Sequence, residues 1–479
     1  MDPKLYAQII TVGAASLYVL AIAFALEAML KTRTAQGAIA WVISLVTIPV
    51  VAVPLYLIFG RNKFDGYLEK RQAMADELQR LTQRTSGSVE KHIVHATTDS
   101  SLYTSLFNLA PMPATTGNSI ELLINGEQTF NSILAGMAEA QQYILCQSYI
   151  FRDDELGRRL CRVLEDKARA GIPVYLLYDE IGSRRLPRTR LYKQLLMTGV
   201  QVAPFNTTQG RRNRFQLNFR NHRKVVVVDG KQAWIGGHNV GDEYLGLDKH
   251  IGQWRDTHVR FEGPAVAGAE LAFSTDWLWA TNSQVEIERK FTGPSTGNTQ
   301  ILVFPSDPIS SYEEAGLMFH QIIVAARHRI WIASPYFVPD HAIMSALQLA
   351  ALRGVDVRVM IPDEPDGLTV GMANWSFTRE LLPVGVKVYR YKGGFMHQKV
   401  LLMDDNVAGV GTANFDNRSF RLNFEITVLA EAPEFASEVD RMLQADMLRC
   451  QQVSMDDIRD KPFWFALAMG AARLVAPVL

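Results

Sequence analysis

Cysteine is scarce in this 479-residue chain, net charge is absent, and two early stretches are almost free of charged side chains. The three cysteines, Cys146, Cys161 and Cys450, are odd in number and lack metal-ligand spacing. That argues against a disulfide framework and a zinc site, and it places the soluble part in a reducing compartment. Forty-nine Lys and Arg balance forty-nine Asp and Glu. No global positive field advertises a nucleic-acid partner, so an anionic substrate has to be held locally. What is abundant is apolar: 48% hydrophobic residues suffice for two cores and a membrane-embedded segment.

The apolar surplus is concentrated at the start. Tyr6 to Leu30 carries one charge, Glu27, and Ala38 to Phe59 carries none. At about 1.5 Å per residue the second stretch reaches roughly 33 Å, enough for a bilayer core of about 30 Å. The reading is a transmembrane hairpin over residues 1–60 with spans at 6–30 and 38–59. A cleaved signal peptide is disfavoured, because the n-region is weakly basic and a second apolar stretch follows directly. The hairpin loop holds Lys31 and Arg33 while the flanks hold Lys4, Arg61, Lys63, Lys70 and Arg71, so the positive-inside rule puts both flanks in the cytoplasm. Pro49 and Pro54 are tolerable in a lipid-embedded helix, and Glu27 sits near a span end, where it can snorkel.

Residues 61–117 read as a juxtamembrane helix (Phe64 to Thr82), ending at the polar run Thr85-Ser86-Gly87-Ser88, and a linker. From Ser119 onward strands and helices alternate, beginning with Ile120 to Ile124, an Asn-Gly turn and a helix to about Gln141. That rhythm indicates an α/β fold. The pattern comes twice. Ser148-Tyr149-Ile150-Phe151 is echoed by Ser334-Pro335-Tyr336-Phe337, Gly171 by Gly354, and Gly199 by Gly385, with all such pairs offset by 175 to 186 residues. We therefore expect two duplicated domains, 118–290 and 291–455, about a pseudo-two-fold axis.

The most distinctive segments are Asn221-His222-Arg223-Lys224, running to Asp229, and Met396-His397-Gln398-Lys399, running to Asp404. Both read His-x-Lys-x-x-x-x-Asp, and each His is followed after 17 residues by an Asn, Asn239 or Asn414. Extended backbone puts His and Lys on one face, aimed at one pocket. Two imidazoles supply a nucleophile and a proton donor. Lys224 and Lys399, with Asn239 and Asn414 donating, stabilise the charge on a phosphoryl group, so the chemistry demands no metal and no other cofactor. Each imidazole needs an acceptor on its other nitrogen. Asp256 and Glu425, downstream in strand-like contexts, are candidates, with Asp256 expected on His222 and Glu425 on His397. Asp229 and Asp404 close the motif, with loop anchoring the better reading than proton transfer.

The doubled signature with its trailing Asn resembles that of the phospholipase D superfamily. Tyr149 to Glu155, Gly241-Asp242-Glu243-Tyr244, Ser334 to Pro339 and Asn417-Arg418-Ser419 with Asn423-Phe424-Glu425 resemble bacterial cardiolipin synthases, as does the apolar hairpin. The resemblance covers nearly the whole chain. It implies two phospholipase D-like α/β/α sandwich domains and a multi-pass protein of the bacterial inner membrane with cytoplasmic catalytic domains. The implied substrate is phosphatidylglycerol: one His, His222 by analogy, attacks it, glycerol leaves, and a second phosphatidylglycerol captures the phosphatidyl-enzyme to give cardiolipin. The catalytic set carried over is His222, Lys224, Asp229, His397, Lys399 and Asp404, supported by Asn239, Asn414, Asp256 and Glu425. The chain departs from the superfamily in placing Thr412-Ala413 before Asn414 and His238 before Asn239.

Weaker features remain. Arg211, Arg212, Arg214, Arg220 and Arg223 cluster around the first motif, either to attract anionic headgroups or as a solvated loop. Residues 456–479 are apolar and aromatic, read as an interfacial helix on the bilayer rather than a cap on the core. Trp254, Trp331, Tyr336 and Phe337 read mainly as packing. The rival outcomes are a hydrolytic phospholipase D, a phosphatidyltransferase using a lipid such as phosphatidylethanolamine, a nuclease, which zero net charge opposes, and an inactive scaffold, which two intact motifs oppose. A homo-oligomer is compatible with this reading.

Overall fold

The computed structural model of the protein describes residues 3–32, 35–60, 72–95, 101–206, 218–287, 297–310 and 312–476. The chain divides into two units, residues 1–73 with 206–220, and residues 74–205 with 221–479.

In the first unit, helix Pro3–Lys31 is apolar throughout and is the one helix, among the described residues, long and apolar enough to cross a membrane. The second expected span is broken, so a multi-pass arrangement is not supported. Pro49 disfavours helical backbone at Ile48, which takes φ −135° and ψ 59°. The stretch splits into Ala35–Thr47, Pro49–Leu55 and a π turn at Tyr56–Gly60. Thirteen residues of helix reach only about 20 Å. The pieces still fold back on the first helix. Ala21, Ala25 and Ala28, one small residue per turn, pack against Leu45, Ala52, Val53 and Tyr56. Glu27 pairs with Lys31 one turn on.

In the second unit, helix Ala75–Ser88 runs through the polar segment expected to end it. Thr85 and Ser88 return their hydroxyls to the carbonyls of Leu81 and Thr85, while Leu81 and Val89 pack with Met112 and Leu271. The remainder is built on one continuous sheet. From the centre outward, the first half runs Thr115–Ile124, Thr257–Glu262, Gln232–Gly236, Val225–Val228, Ile144–Ser148, Val174–Asp179 and Gln201–Phe205. The second half repeats that order: Thr299–Ser306, Asn423–Glu431, Val407–Gly411, Val400–Met403, Arg329–Ala333, Asp356–Pro362 and Lys387–Tyr391. The halves join where Thr115 pairs with Ile301 and Asn118 with Thr299, antiparallel. Each half mixes a parallel outer segment with antiparallel inner strands. Helices such as Glu155–Arg169 and His341–Leu352 bury apolar faces on the sheet. Because the strand order is the same read outward in both directions, equivalent loops of the two halves are related across the central join.

Candidate active site

Each motif begins just before a four-residue buried strand, Val225–Val228 or Val400–Met403. The His-x-Lys residues therefore sit in extended backbone at the strand's mouth rather than inside it. The middle residue points away from His and Lys. Arg223 donates to Asp276 (2.8 Å) and to the carbonyls of Glu425 and Ser306, and Asp276 also accepts from Gln147 and Asn221. In the second half Gln398 donates to Asp446 (3.0 Å), which is held by Arg255 (2.8 and 2.7 Å). These buried clusters clamp the motif backbone from behind. Arg223 therefore belongs to the interior and not to a headgroup-attracting cluster. Arg220 turns to the carbonyl of Phe219, and Arg211, Arg212 and Arg214 lie outside the described residues.

The histidine–acid pairing is the reverse of the expected one. His222 Nδ1 meets Glu425 at 3.0 and 3.1 Å, and His397 Nδ1 meets Asp256 at 2.7 Å. The backbone explains the crossing. The His222 N–H donates to the Phe424 carbonyl and the His397 N–H to the Arg255 carbonyl, so each motif is stitched to the residue just before the other half's acid. Linear proximity in the sequence carries no sign of this exchange. Each acid has further donors: Thr412 Oγ1 (2.6 Å) and Asn423 Nδ2 (3.0 Å) on Glu425, and the Thr257 N–H (2.8 Å) on Asp256.

Lys224 and Lys399 return their ammonium groups to the carbonyls of His222 and His397. Both are buried. Burial pulls Lys224 down from 10.5 to about 7, with Glu425 opposing and the Lys399 charge adding to the fall. Burial pulls Lys399 down to about 8 against the pull of Asp256 and Glu425. Burial likewise lowers His222, against Glu425, and lowers His397 to about 3, reinforced by the Lys399 charge. Burial would raise both acids, but His222 and Lys224 outweigh it at Glu425, and the His238, Lys399 and His397 charges outweigh it at Asp256. Two buried ammonium groups, two neutral imidazoles and two ionised carboxylates thus lie together in one buried cluster, with Lys224 and Lys399 each feeling both Glu425 and Asp256.

Asn239 accepts from the Ile150 N–H and donates to the Tyr244 hydroxyl (2.9 Å). The Asn414 N–H donates to Ser419 Oγ, and its side-chain oxygen is buried without a partner among the described residues. The Tyr149 ring lies 5.1 Å from the His222 ring, and Trp254 lies 5.0 Å from His397. Phe337 and Trp331 are both buried in the core, with the Arg358 guanidinium over the Trp331 ring. Asp229 and Asp404 stand apart from this pocket. Each takes a left-handed backbone, φ 55° and 50°. Each accepts three backbone N–H groups of a preceding turn, Gln141 to Tyr143 and Arg327 to Arg329 respectively. Among the described residues no group of three His, Cys, Asp or Glu is placed to hold a metal ion.

Sequence reasoning missed Gln147, Asp276, Arg255 and Asp446. The readable signal is a pair of acids, Glu270 and Asp276, inside the mostly apolar helix Val266–Thr281, since a buried carboxylate requires a partner. His238 is buried, with Nδ1 3.2 Å from Nδ1 of His258, as a packed histidine rather than a headgroup contact.

Known proteins share this architecture. The family described as "Cardiolipin synthase, PLD-like domain" matches residues 133–259 and 319–447, and "Phospholipase_D-nuclease N-terminal" matches 17–61. The chain is 44% identical to cardiolipin synthase A of Pseudomonas entomophila (strain L48), covering 97% of each chain. It is also 44% identical to cardiolipin synthase A of Pseudomonas aeruginosa (strain LESB58), over 100% of this chain and 97% of that one. The phosphatidylserine synthase of Haemophilus influenzae Rd KW20 superposes with a TM-score of 0.61 at 16% identity, over 79% of this chain and all of that one, a likeness of fold. With two crossed histidine–acid pairs in a duplicated sheet and relatives matched end to end, the chain belongs to the cardiolipin synthase family of phospholipase D-like enzymes.

Proposed function

We propose that this phosphatidyltransferase makes cardiolipin from two molecules of phosphatidylglycerol through a phosphatidyl-histidine intermediate. The observation that carries the reading is the convergence of both motif lysines and both crossed His–acid pairs in one buried cluster. A phosphodiester anion enters between Lys224 and Lys399, whose ammonium groups face its oxygens. His222, held by Glu425 with Nε2 free to attack, forms the P–N bond. His397, backed by Asp256, gives its proton to the departing glycerol oxygen, which breaks the P–O bond. His397 then takes a proton from a hydroxyl of the second phosphatidylglycerol, whose oxygen attacks phosphorus as the P–N bond breaks. The histidines end as they began, and one glycerol is released per cardiolipin. Burial and the Lys399 charge keep His397 neutral; a phosphate anion beside it raises its proton affinity and makes it an acid.

Function divides along the chain: 1–60 anchors, 61–117 connects, 118–290 and 291–455 each give one motif, and 456–479 meets the membrane. Helix Phe463–Val475 buries Phe465, Met469 and Ala472 and exposes Phe463, Trp464, Leu467 and Leu474, a division that suits an interfacial helix. The location we assign is the bacterial inner membrane with the catalytic unit on the cytoplasmic side. Both dyads lie in one chain, so the chemistry requires no second copy.

The test is to incubate the purified protein with phosphatidylglycerol in liposomes and to follow cardiolipin, phosphatidic acid and glycerol together. Equal cardiolipin and glycerol, lost in His222→Ala and His397→Ala, support the reading. Phosphatidic acid alone makes the enzyme a hydrolase.

A further inference from the structure

We propose that the groove beside Arg184 and Arg185 docks the phosphodiester of the acceptor lipid, the second phosphatidylglycerol, an inference that rests on the reaction above. The chemistry requires such a subsite. The glycerol that leaves and the glycerol that attacks occupy the same position at phosphorus, since the reverse reaction exchanges them. The acceptor differs from free glycerol by a phosphodiester on its far hydroxyl. An enzyme that prefers the lipid over glycerol or water must recognise that second anion one glycerol away from the reacting phosphate.

The groove is open to solvent, offers about 450 Å³, and is lined by Arg152, Asp153, Asp154, Gly182, Arg184 and Arg185. It starts from the segment that touches the first imidazole. Ser183 accepts from the Phe151 N–H and donates to the Tyr149 carbonyl, both 2.9 Å, and the Tyr149 ring packs on His222. Gly182 lies so close that a Cβ there would meet the Tyr149 carbonyl at 2.3 Å. Asp179 accepts from the N–H groups of Ile181 and Gly182 and from that of Asn221 beside the motif. The groove wall is thus hydrogen-bonded to Tyr149, whose ring packs on His222, and to Asn221, the residue before it.

Its charge is free for a ligand. Arg152 is engaged by Glu243, Asp153 by Arg158, and Asp154 by the N–H groups of Gly157 and Asp242. Arg184 and Arg185 are exposed and have no ion-pair partner among the described residues. The pseudo-symmetric loop of the other half gives the contrast. After strand Asp356–Pro362 stand Asp363, Glu364 and Asp366, with Asp363 on Arg390 and Asp366 on the Tyr336 hydroxyl. Two loops with the same place in the fold carry opposite charge, and only the basic one suits a second phosphate.

The experiment compares the full-length protein with R184Q/R185Q in phosphatidylglycerol–detergent micelles, following glycerol, cardiolipin and phosphatidic acid. Without the acceptor's docking site, water takes its place at phosphorus, giving its oxygen to the P–O bond as the P–N bond breaks. We expect cardiolipin formed per glycerol released to fall at least about fivefold, with phosphatidic acid making up the difference. Glycerol release itself stays within about threefold, because the donor site is untouched. Exchange of labelled free glycerol into phosphatidylglycerol, which needs no second phosphate, is unchanged, and R184K/R185K keeps the product ratio. An unchanged ratio in R184Q/R185Q, or glycerol and cardiolipin falling together in it and in both single variants, overturns the proposal. A wild-type protein that makes no cardiolipin from phosphatidylglycerol instead overturns the reaction on which it rests.

Discussion

Replacing Lys224 with Met tests whether the pocket's electrostatics are held against the fold's own stability. The Lys224 ammonium is fully enclosed, 5.4 Å over the Tyr149 ring, with Lys399 as a like-charged neighbour that lowers its proton affinity. A fall from 10.5 to about 7, at 1.36 kcal/mol per pKa unit, bounds the cost of the charged form at about 5 kcal/mol. Relaxation and water entry reduce that bound, and we take about 1–3 kcal/mol as the working range. The sign follows from proton counting. Between about pH 7 and 10.5 the unfolded chain binds a proton that the folded chain has released, so stability rises with pH across that window. Below about pH 7 both states hold the proton, and the penalty is complete.

Methionine keeps the apolar stem and removes the charge. At pH 6.5, Lys224→Met should therefore melt about 2–6 °C above wild type in detergent. At pH 9 the gap narrows to somewhat under half, because the folded lysine is neutral while the unfolded one still holds its proton, and it closes only near pH 10.5. Turnover falls at least about 10²-fold, because one of the two cations facing the phosphoryl oxygens is gone. Thermal unfolding at the two pH values, with turnover measured in parallel, decides it. A variant that melts below wild type at pH 6.5, or a gap that does not change with pH, refutes the reasoning.

Further outcomes follow from the crossed pairs and the anchors. In melting experiments His222→Asn and Glu425→Gln should be coupled by about 1 kcal/mol, whereas His222→Asn and Asp256→Asn should be additive within about 0.5 kcal/mol; the opposite pattern restores the uncrossed pairing. Asp229→Ala leaves three backbone N–H groups unserved and should cost about 2–4 kcal/mol of stability, while turnover per folded molecule stays within about threefold, which a true catalytic acid would not allow. In the mechanism we propose, the two lysines and two histidines provide both the charge stabilisation and the proton transfers, which predicts that cardiolipin formation persists in excess EDTA; loss that zinc or magnesium restores would contradict this.

The motif residues were legible because chemistry and repetition mark them twice at matching offsets. Their partners were not, because pairing depends on how the halves join. Asp256 follows His222 by 34 residues in sequence, yet the carboxylate at His222 is that of Glu425, 203 residues away. A duplicated motif does not reveal whether its parts pair within a repeat or between repeats. Asp229 and Asp404 recur with the motif histidines and lysines, and loop anchoring is the better reading of them from the sequence; their positive φ and the three backbone N–H groups that each accepts show repetition preserving a turn. The broken second helix was legible in part, since Pro49 is visible in the sequence, but the hydrophobic run outweighed it. The clamps at Asp276 and Asp446 lay hidden because an acid in a helix reads as solvated until the helix is known to be buried on the sheet.

The duplication accounts for the machinery but not for the direction of the reaction. A sheet that reads the same from its centre outward supplies two equal lysine–histidine pairs, and such a site binds one phosphate without distinguishing its two faces. In-line transfer requires the distinction, because nucleophile and leaving group stand on opposite sides of phosphorus. The chain supplies it in the parts that the repeat leaves free to differ. Glu425 takes a hydroxyl from Thr412 where Asp256 has the His238–His258 pair nearby, Tyr149 faces one histidine where Trp254 faces the other, and the strand-end loops carry arginines on one side and carboxylates on the other. Exchanging the charges of those two loops while leaving both motifs intact should preserve phosphate binding and glycerol release and move cardiolipin formation toward hydrolysis. If the product ratio instead follows the motifs alone, direction is set inside the pocket and the loops are only its surroundings.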